Sequence, residues 1–402
     1  MRVLHIGPVT PEYGGKSIGG VAIHLIDLSR YLHQKGHEIF VLASNCDDNY
    51  EKELNGIKIY GRKKNLYLNY LKDSLFELNL IKKTRERFLG KENILRTLYN
   101  YSNMKYFIKK IKPDIIHIHH IQSEFSFAYE IIKKMKIPYV ATTHSYHSIP
   151  FSEGKKRERN LYLVKKNMED CENLIYVSSH LKLEARELFN KFPKNEVILF
   201  NPIDINKFKL LDKYTCKETL NLKYDKIILY VGSIIKRKGY DILLKSIERL
   251  GQKDIQVVFI GSGEKEELIQ LAKELDIINQ VTVIDYVSQE ELIKYYNASD
   301  VVAVPSSSES FGLIYIEAMA CGVPVIGTKG VPEEVIPSED LGYRVEKNNY
   351  IELADAIKTA LEKKWDKNKI RSFAEGFSWE ANVGKYEEIY LKTMKGLLNT
   401  KK

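Results

Sequence analysis

The sequence predicts an α/β protein made of two successive doubly wound halves, each a parallel sheet with helices on both faces. Three observations carry this expectation. Short apolar runs alternate with helical patterns from one end to the other. The pattern pauses in a polar stretch near 201–224 and then restarts. The 402 residues also exceed what a single hydrophobic core usually serves.

In the first half, apolar runs at 3–6, 38–43, 115–119, 139–143, 174–177 and 197–200 read as strands. A first helix spans 21–34 and is ended by Gly36. In the second half, strands are expected at 227–231, 256–260, 281–284, 301–304 and 324–326. Helices intervene at 239–250, 264–275, 289–297 and about 312–320. A last amphipathic helix, 379–398, has no strand after it. The expected division is a domain over 1–205, a second over 206–378, and a terminal segment 379–402. Two such domains facing each other would leave an interdomain cleft beyond the carboxyl ends of their strands, where open α/β sheets bind ligands.

Composition excludes several classes. Hydrophobic content of 44% with 29% charged residues describes a globular chain, not collagen, a coiled coil or a disordered tail. Four scattered cysteines (Cys46, Cys171, Cys216, Cys321) form no C-x-x-C pair and read as reduced thiols of a cytoplasmic protein. No apolar run approaches the ~20 residues of a membrane span. The first strand breaks at Gly7-Pro8, too early for a secretory signal. No G-x-x-x-x-G-K-[ST] loop is present, and Gly261-Ser262-Gly263 lacks the third glycine of a dinucleotide fingerprint because position 266 is Glu.

The formal net charge is +9, and it is concentrated. Segment 61–112 holds fourteen Lys or Arg against four acidic residues, with apolar residues at helical spacing. It reads as a basic helical insertion with three open meanings. These are a solvated face, a surface for anionic lipid headgroups, or nucleic-acid binding. The last ranks lowest because no RNA-binding or zinc-finger signature accompanies the charge.

The densest chemistry lies between Val304 and Ile326. A buried strand ends in a Ser-rich loop holding Glu309, Gly312 opens a helix carrying Glu317, Gly322 closes it, and another strand begins. Free amides and the dipole at that helix start favour an anion such as phosphate. Carboxylates accept hydrogen bonds from sugar hydroxyls, so the pair suits a ligand with both phosphate and sugars. The spacing of the two glutamates alone is a weak signal; its full context is specific.

That context resembles the E-x7-E region of the family 4 retaining glycosyltransferases, and the two-domain layout resembles their GT-B fold. The likeness runs along nearly the whole chain. It includes the glycine loop from Gly14 through Gly19 and Gly20 to His24, Gly36-His37-Glu38, and Pro113-Asp114 with His117 and His119. Thr143-His144, Ser178, Asn201-Pro202-Ile203-Asp204 with Phe208, and Gly261-Ser262-Gly263 follow in order. The resemblance implies a C-terminal helix returning to the N-terminal domain, and a nucleotide-diphosphate sugar (UDP- or GDP-linked) as donor. It implies that Glu317 holds the ribose, and that Glu309 with the backbone of Phe311, Gly312 and Leu313 holds the sugar and β-phosphate. Gly19 and Gly20 would approach the diphosphate, Lys238 would neutralise the leaving group, and His144 would face the sugar's anomeric side. Ser233, Gly261 and Val287 complete the implied donor site. His144, Glu309 and Lys238 are the implied catalytic residues.

Two departures stand out. Ser233 replaces the usual diphosphate-binding arginine, so half of the cationic clamp is absent unless Lys236 or Arg237 reaches in. Asp285 stands where the family has glycine beside the nucleobase. His117, His119, His120, His144 and His147 invite a metal reading, but no neighbouring carboxylate completes a ligand set, so neither metal nor cofactor is expected. His117 and His120 are expected to be hydrogen-bonded at a strand end, and His24 to be packed. The expected activity is retaining, metal-independent hexosyl transfer to a lipid-linked or cell-surface glycan precursor, in polysaccharide biosynthesis. The protein would be cytoplasmic or peripheral on the inner membrane face. A non-catalytic sugar-nucleotide binder, or a GT-B epimerase or phosphorylase, are the alternatives.

Overall fold

The computed structural model describes residues 1–17, 19–44, 46, 50–61, 77–88, 94–146 and 154–399. Expectations falling on 62–76, 89–93 and His147 lie outside the described residues. The chain forms two compact units, one of Met1–Phe200 with Asn382–Lys402 and one of Asn201–Ala381.

The first unit is built on β1 (Arg2–Gly7), β2 (Glu38–Ala43), β3 (Glu51–Leu54), β4 (Ile57–Tyr60), β5 (Ile115–His119), β6 (Tyr139–Thr143), β7 (Asn173–Tyr176) and β8 (Asn195–Ile198). Their order is β3-β4-β2-β1-β5-β6-β7-β8. Every pairing is parallel except that of β3 with β4. That hairpin turns on Asn55-Gly56, both at positive φ, the chemistry a two-residue turn requires. Among the described residues six helices lie between or after these strands: α1 (Gly20–Gln34), α2 (Leu78–Glu86), α3 (Ile94–Ile111), α4 (Ser123–Met135), α5 (Gly154–Asp170) and α6 (Ser179–Leu188).

The second unit begins with helix α7 (Lys213–Thr219). It holds β9 (Lys226–Val231), β10 (Ile255–Ile260), β11 (Val281–Ile284), β12 (Val301–Ala303), β13 (Val325–Thr328) and β14 (Gly342–Val345). All pair in parallel, in the order β11-β10-β9-β12-β13-β14. Ile227 to Tyr230 are buried on both faces of the sheet, as a parallel strand covered by helices demands. The helices are α8 (Tyr240–Leu250), α9 (Lys265–Glu274), α10 (Gln289–Ala298), α11 (Leu313–Ala320), α12 (Tyr350–Glu362) and α13 (Lys367–Glu375). A final helix, α14 (Trp379–Asn399), starts in this unit and belongs to the first from Asn382 onward.

In each sheet the chain winds outward in both directions from one strand, β1 or β9. The loops after β1 and β5, and those after β9 and β12, therefore leave neighbouring strands in diverging directions. Such switch points are where open α/β sheets receive ligands. All four cysteines are buried free thiols.

The basic segment differs from its sequence reading. Helix α3 fills the crossover from β4 to β5, with Phe107, Ile108 and Ile111 buried and the Phe107 ring 4.9 Å from that of Tyr60. Part of the charge is also internal. Lys105, 2.9 Å from Glu77, is buried, and hydrogen bonds from Lys134, Lys105 and Tyr101 outweigh burial to bring the Glu77 carboxyl down to about 2. Arg87 is only 4% exposed. It donates to Asp170 at 2.7 Å and Asn167 at 3.1 Å, and lies 4.1 Å over the Tyr129 ring. This one side chain ties the end of α2 to α4 and α5.

Removing one partner of a buried ion pair strands the other charge, which costs about 3–5 kcal/mol. Arg87→Ala should lower the urea midpoint by a corresponding amount, and Arg87→Lys should recover only part of the loss. An unchanged midpoint would mean that the pair is solvated and carries no such load.

Candidate active site

In the second unit the site is assembled from the loops that leave β9 and β12. Gly239 closes a single 3-10 turn, Lys236–Lys238, and that turn is stitched to the Ser-rich loop after β12. Ser307 donates its amide to Arg237 O at 2.9 Å, and Arg237 Nη1 donates to Ser308 O at 2.7 Å. Lys238 Nζ forms an ion pair with the Glu309 carboxylate, which is 6% exposed. The Glu309 amide donates to Gly330 O at 2.9 Å, fixing the loop from its other side.

Gly312 follows at φ 93°, in the left-handed region, where a Cβ would fall 2.7 Å from the Tyr315 ring. It brings no capping side chain to the start of α11. Phe311 is buried, its ring 5.8 Å from that of Phe377. Tyr315 OH donates to Val304 O at 2.6 Å and holds the helix against its preceding strand. One and a half turns into α11, Glu317 accepts from Tyr296 OH at 2.8 Å. Burial and that carboxylate hold the Tyr296 phenol well above its usual range, so it remains a donor.

Ser233 and Gly261 lie together. A Cβ on Gly261 would meet Gly232 O at 1.9 Å, so only glycine lets the ends of β9 and β10 come this close. Ser233 is exposed and its carbonyl accepts from Tyr230 OH at 2.8 Å. Val287 is buried, while the preceding Tyr286 is 72% exposed and Asp285 pairs with Lys265. Thus the structure brings Ser233, Lys238, Gly261, Glu309, Phe311, Gly312, Leu313 and Glu317 onto one edge of one sheet, with Val287 in the loop after its neighbour β11. Gly19, Gly20 and His144 belong to the other unit.

In the first unit, Gly19 caps α1 with its carbonyl accepting from Ala22 at 3.0 Å, and Gly20 is its first residue; both are exposed. Around the ends of β1, β5 and β6 lies a cluster of six histidines, of which the sequence points to His117, His119, His120 and His144 but not to His5 and His24. His5, His24, His117, His119 and His144 are buried, and His120 adjoins them. His117 is fully engaged, with Nδ1 2.7 Å from Tyr390 OH and Nε2 2.7 Å from Thr142 Oγ1. Its ring stacks on His119 at 4.2 Å. His5 Nδ1 lies 3.0 Å from His119 Nε2. The His24 ring is 5.0 Å from His144 and its Nε2 is 3.4 Å from Tyr386 OH. His120 departs from expectation: its backbone is at φ 109° and its buried Nδ1 has no partner. The expected absence of a ligand set also changes. One nitrogen each from His24, His119 and His144 lie within 4.8 Å of one another, as do those of His5, His117 and His119. The alternating pattern of β5 gave His117 and His119 a common face; that β1 and α1 would add His5 and His24 had no local signal.

Two family models match the chain, the one described as Glycosyltransferase Family 4 over residues 18–207 and the one described as Glycosyl transferases group 1 over 215–376. The uncharacterized glycosyltransferase MJ1607 of Methanocaldococcus jannaschii is 27% identical, over 95% of this chain and 96% of its own. Sucrose-phosphate synthase from Thermosynechococcus elongatus has the same fold, at a TM-score of 0.75 and 22% identity, covering 98% of this chain and all of that one. The Anabaena protein HepE, solved in complex with UDP, matches at 0.71 and 17% identity, over 99% of this chain and 100% of that one.

Burial lowers the pKa of all six clustered histidines, to about 3 for His5 and His24, with neighbouring imidazoles adding to the effect at His5, His117, His119 and His144. The unfolded chain therefore takes up protons below pH ~6.5 that the folded chain refuses, and stability is lost as pH falls. Each such group contributes up to about 1.4 kcal/mol per pH unit in that window. The melting midpoint should drop steeply between pH 7 and pH 5, and His5→Phe should make the decline shallower. A flat profile would show the imidazoles charging in place.

Proposed function

This chain belongs to glycosyltransferase family 4, and we propose that it moves a sugar from a UDP- or GDP-sugar to an acceptor hydroxyl with retention of anomeric configuration. The observation that carries this reading is the loop and helix start after β12, where an uncapped helix terminus, a carboxylate and a lysine converge. The amides of Phe311, Gly312 and Leu313 take the β-phosphate, as helix N-termini take anions. Glu317 accepts from the ribose hydroxyls, and Glu309 from the donor sugar. With a diphosphate bound, Lys238 exchanges its contact with Glu309 for the leaving group and neutralises the charge that grows there. Gly19 and Gly20 offer backbone to the diphosphate, and His144 is assigned the anomeric side of the sugar. The transition state is oxocarbenium-like, and the departing phosphate takes the acceptor's proton on the same face. No step calls on a metal or cofactor.

Ser233 bears on how strongly the donor is held. Arg237 donates to the Ser308 carbonyl, so it serves the loop rather than replacing the missing arginine. That leaves a weaker clamp and favours, as the second reading, a binder of sugar nucleotides with little or no turnover. The acceptor is taken to be a lipid-linked glycan. Leu78, Ile94 and Leu95 are more than half exposed beside the exposed Lys82, Lys83 and Arg85, a mixed apolar and basic surface suited to anionic headgroups. Among the described residues no helix is long and apolar enough to cross a membrane.

A thermal-shift panel of UDP- and GDP-sugars should raise the melting point for one donor, and product NMR should show its anomeric configuration kept. An inverted product removes the retaining assignment, and binding without turnover of any acceptor leaves the second reading. Glu309→Gln should cut kcat/KM about 10²–10³-fold with the fold intact. Ser233→Arg should tighten donor binding roughly ten- to hundredfold, the worth of one charge-assisted hydrogen bond. Flotation with anionic liposomes should recover the protein at low salt only; neutral liposomes serving equally well would remove the headgroup interaction.

A further inference from the structure

We propose that His24, His119 and His144 form a binding site for a transition-metal dication of the zinc class, and that the bound ion blocks transfer rather than assisting it. The three side chains come from the start of α1 and the ends of β5 and β6, and one nitrogen from each lies within 4.8 Å of the others. A tetrahedral ion with bonds of about 2.0–2.1 Å needs its nitrogens about 3.4 Å apart, so small ring rotations close the set.

The hydrogen-bond pattern points to a ligand as well. His119 is fully buried and His144 is 6% exposed, and among the described residues His119 Nδ1 and His144 Nε2 have no partner. Leaving such groups unpaired in a dry interior is costly. Metal coordination would satisfy both. It would also set the proton in the pair behind them. With the ion on His119 Nδ1, the other nitrogen of His119 carries the hydrogen and donates it to His5 Nδ1, 3.0 Å away. A metal-bound imidazole commonly holds its second nitrogen in this way.

The donor set selects the ion. Three neutral imidazoles without a carboxylate suit zinc, cobalt or copper and do not suit magnesium or calcium. With three protein ligands, the fourth position is left to water. His144 is the residue that the transfer reading reserves for the donor sugar, so ion and sugar compete for it. The inhibition rests on that reading; the binding does not.

Cobalt(II) titrated into the full-length protein without donor should give the visible bands of a tetrahedral site, saturating at one ion per chain and displaced by zinc but not by magnesium. His119→Ala should weaken binding by more than a hundredfold, and His5→Phe by roughly ten- to a hundredfold as the partner behind a ligand. The double variant His33→Ala with His37→Ala, outside the cluster, should bind as well as the unchanged protein. X-ray absorption of the zinc form of the unchanged protein should show nitrogen ligands at about 2.0–2.1 Å, a readout independent of how any variant folds. Absent saturation, six oxygen ligands, or binding lost only in the His33/His37 variant would overturn the site. In assays with a competent donor, micromolar zinc should raise its apparent KM and a chelator should restore it. Zinc bound without such inhibition would remove the competition and keep the site.

Discussion

Each half of the molecule depends on one constraint, a parallel sheet that grows in both directions from a single strand. Because β1 and β9 each have neighbours wound to opposite sides, the loops after them part from those of β5 and β12. Chemistry-bearing residues gather there. In the second half, the turn Lys236–Lys238 and the loop around Glu309 hold each other through backbone and side-chain contacts. In the first half the same position is filled by imidazoles.

The two halves treat polarity differently. The edge after β12 keeps its charges as a pair, Lys238 with Glu309, beside a helix start that has no side-chain cap. The ends of β1, β5 and β6 bury groups that are held neutral by desolvation. A neutral imidazole can donate, accept or coordinate, and which it does depends on its tautomer. Both nitrogens of His117 are engaged, by Tyr390 and Thr142, while His119 and His144 each keep one nitrogen without a partner among the described residues.

Much of this was legible in the sequence, for identifiable reasons. The runs at 38–43, 115–119, 139–143 and 281–284 coincide with strands because each is a short, β-branched-rich and mainly apolar run with sharp ends. The helix start at Gly312 was visible because a Ser-rich loop, a glycine and an apolar run succeed one another. Strands β3, β4 and β14 were missed, β4 with β3 because the two form one hairpin. Strand β3 is a short edge strand of alternating exposure, though Asn55-Gly56 was a usable turn signal; β14 is four residues long and half-buried. The charge of 61–112 was visible, but not that Arg87 and Lys105 point inward, because their partners Asp170 and Glu77 lie on other helices. The histidine cluster was legible only in part: His117, His119, His120 and His144 stood out, but not that His5 and His24 join them. Its members come from β1, α1 and β5 and from the loops after β5 and β6, and only the fold adds them together.

Helix α14 bears on how such chains can be recombined. Its first three residues belong to one unit and the rest to the other, where Tyr390 shares a hydrogen bond with His117 and Tyr386 approaches His24. A chimaera that exchanges the sugar-nucleotide half by cutting only near Asn201 would also import a foreign terminal helix, and with it foreign contacts to the imidazoles of the retained half. The natural seam has two cuts, and the carboxyl-terminal segment travels with the amino-terminal domain.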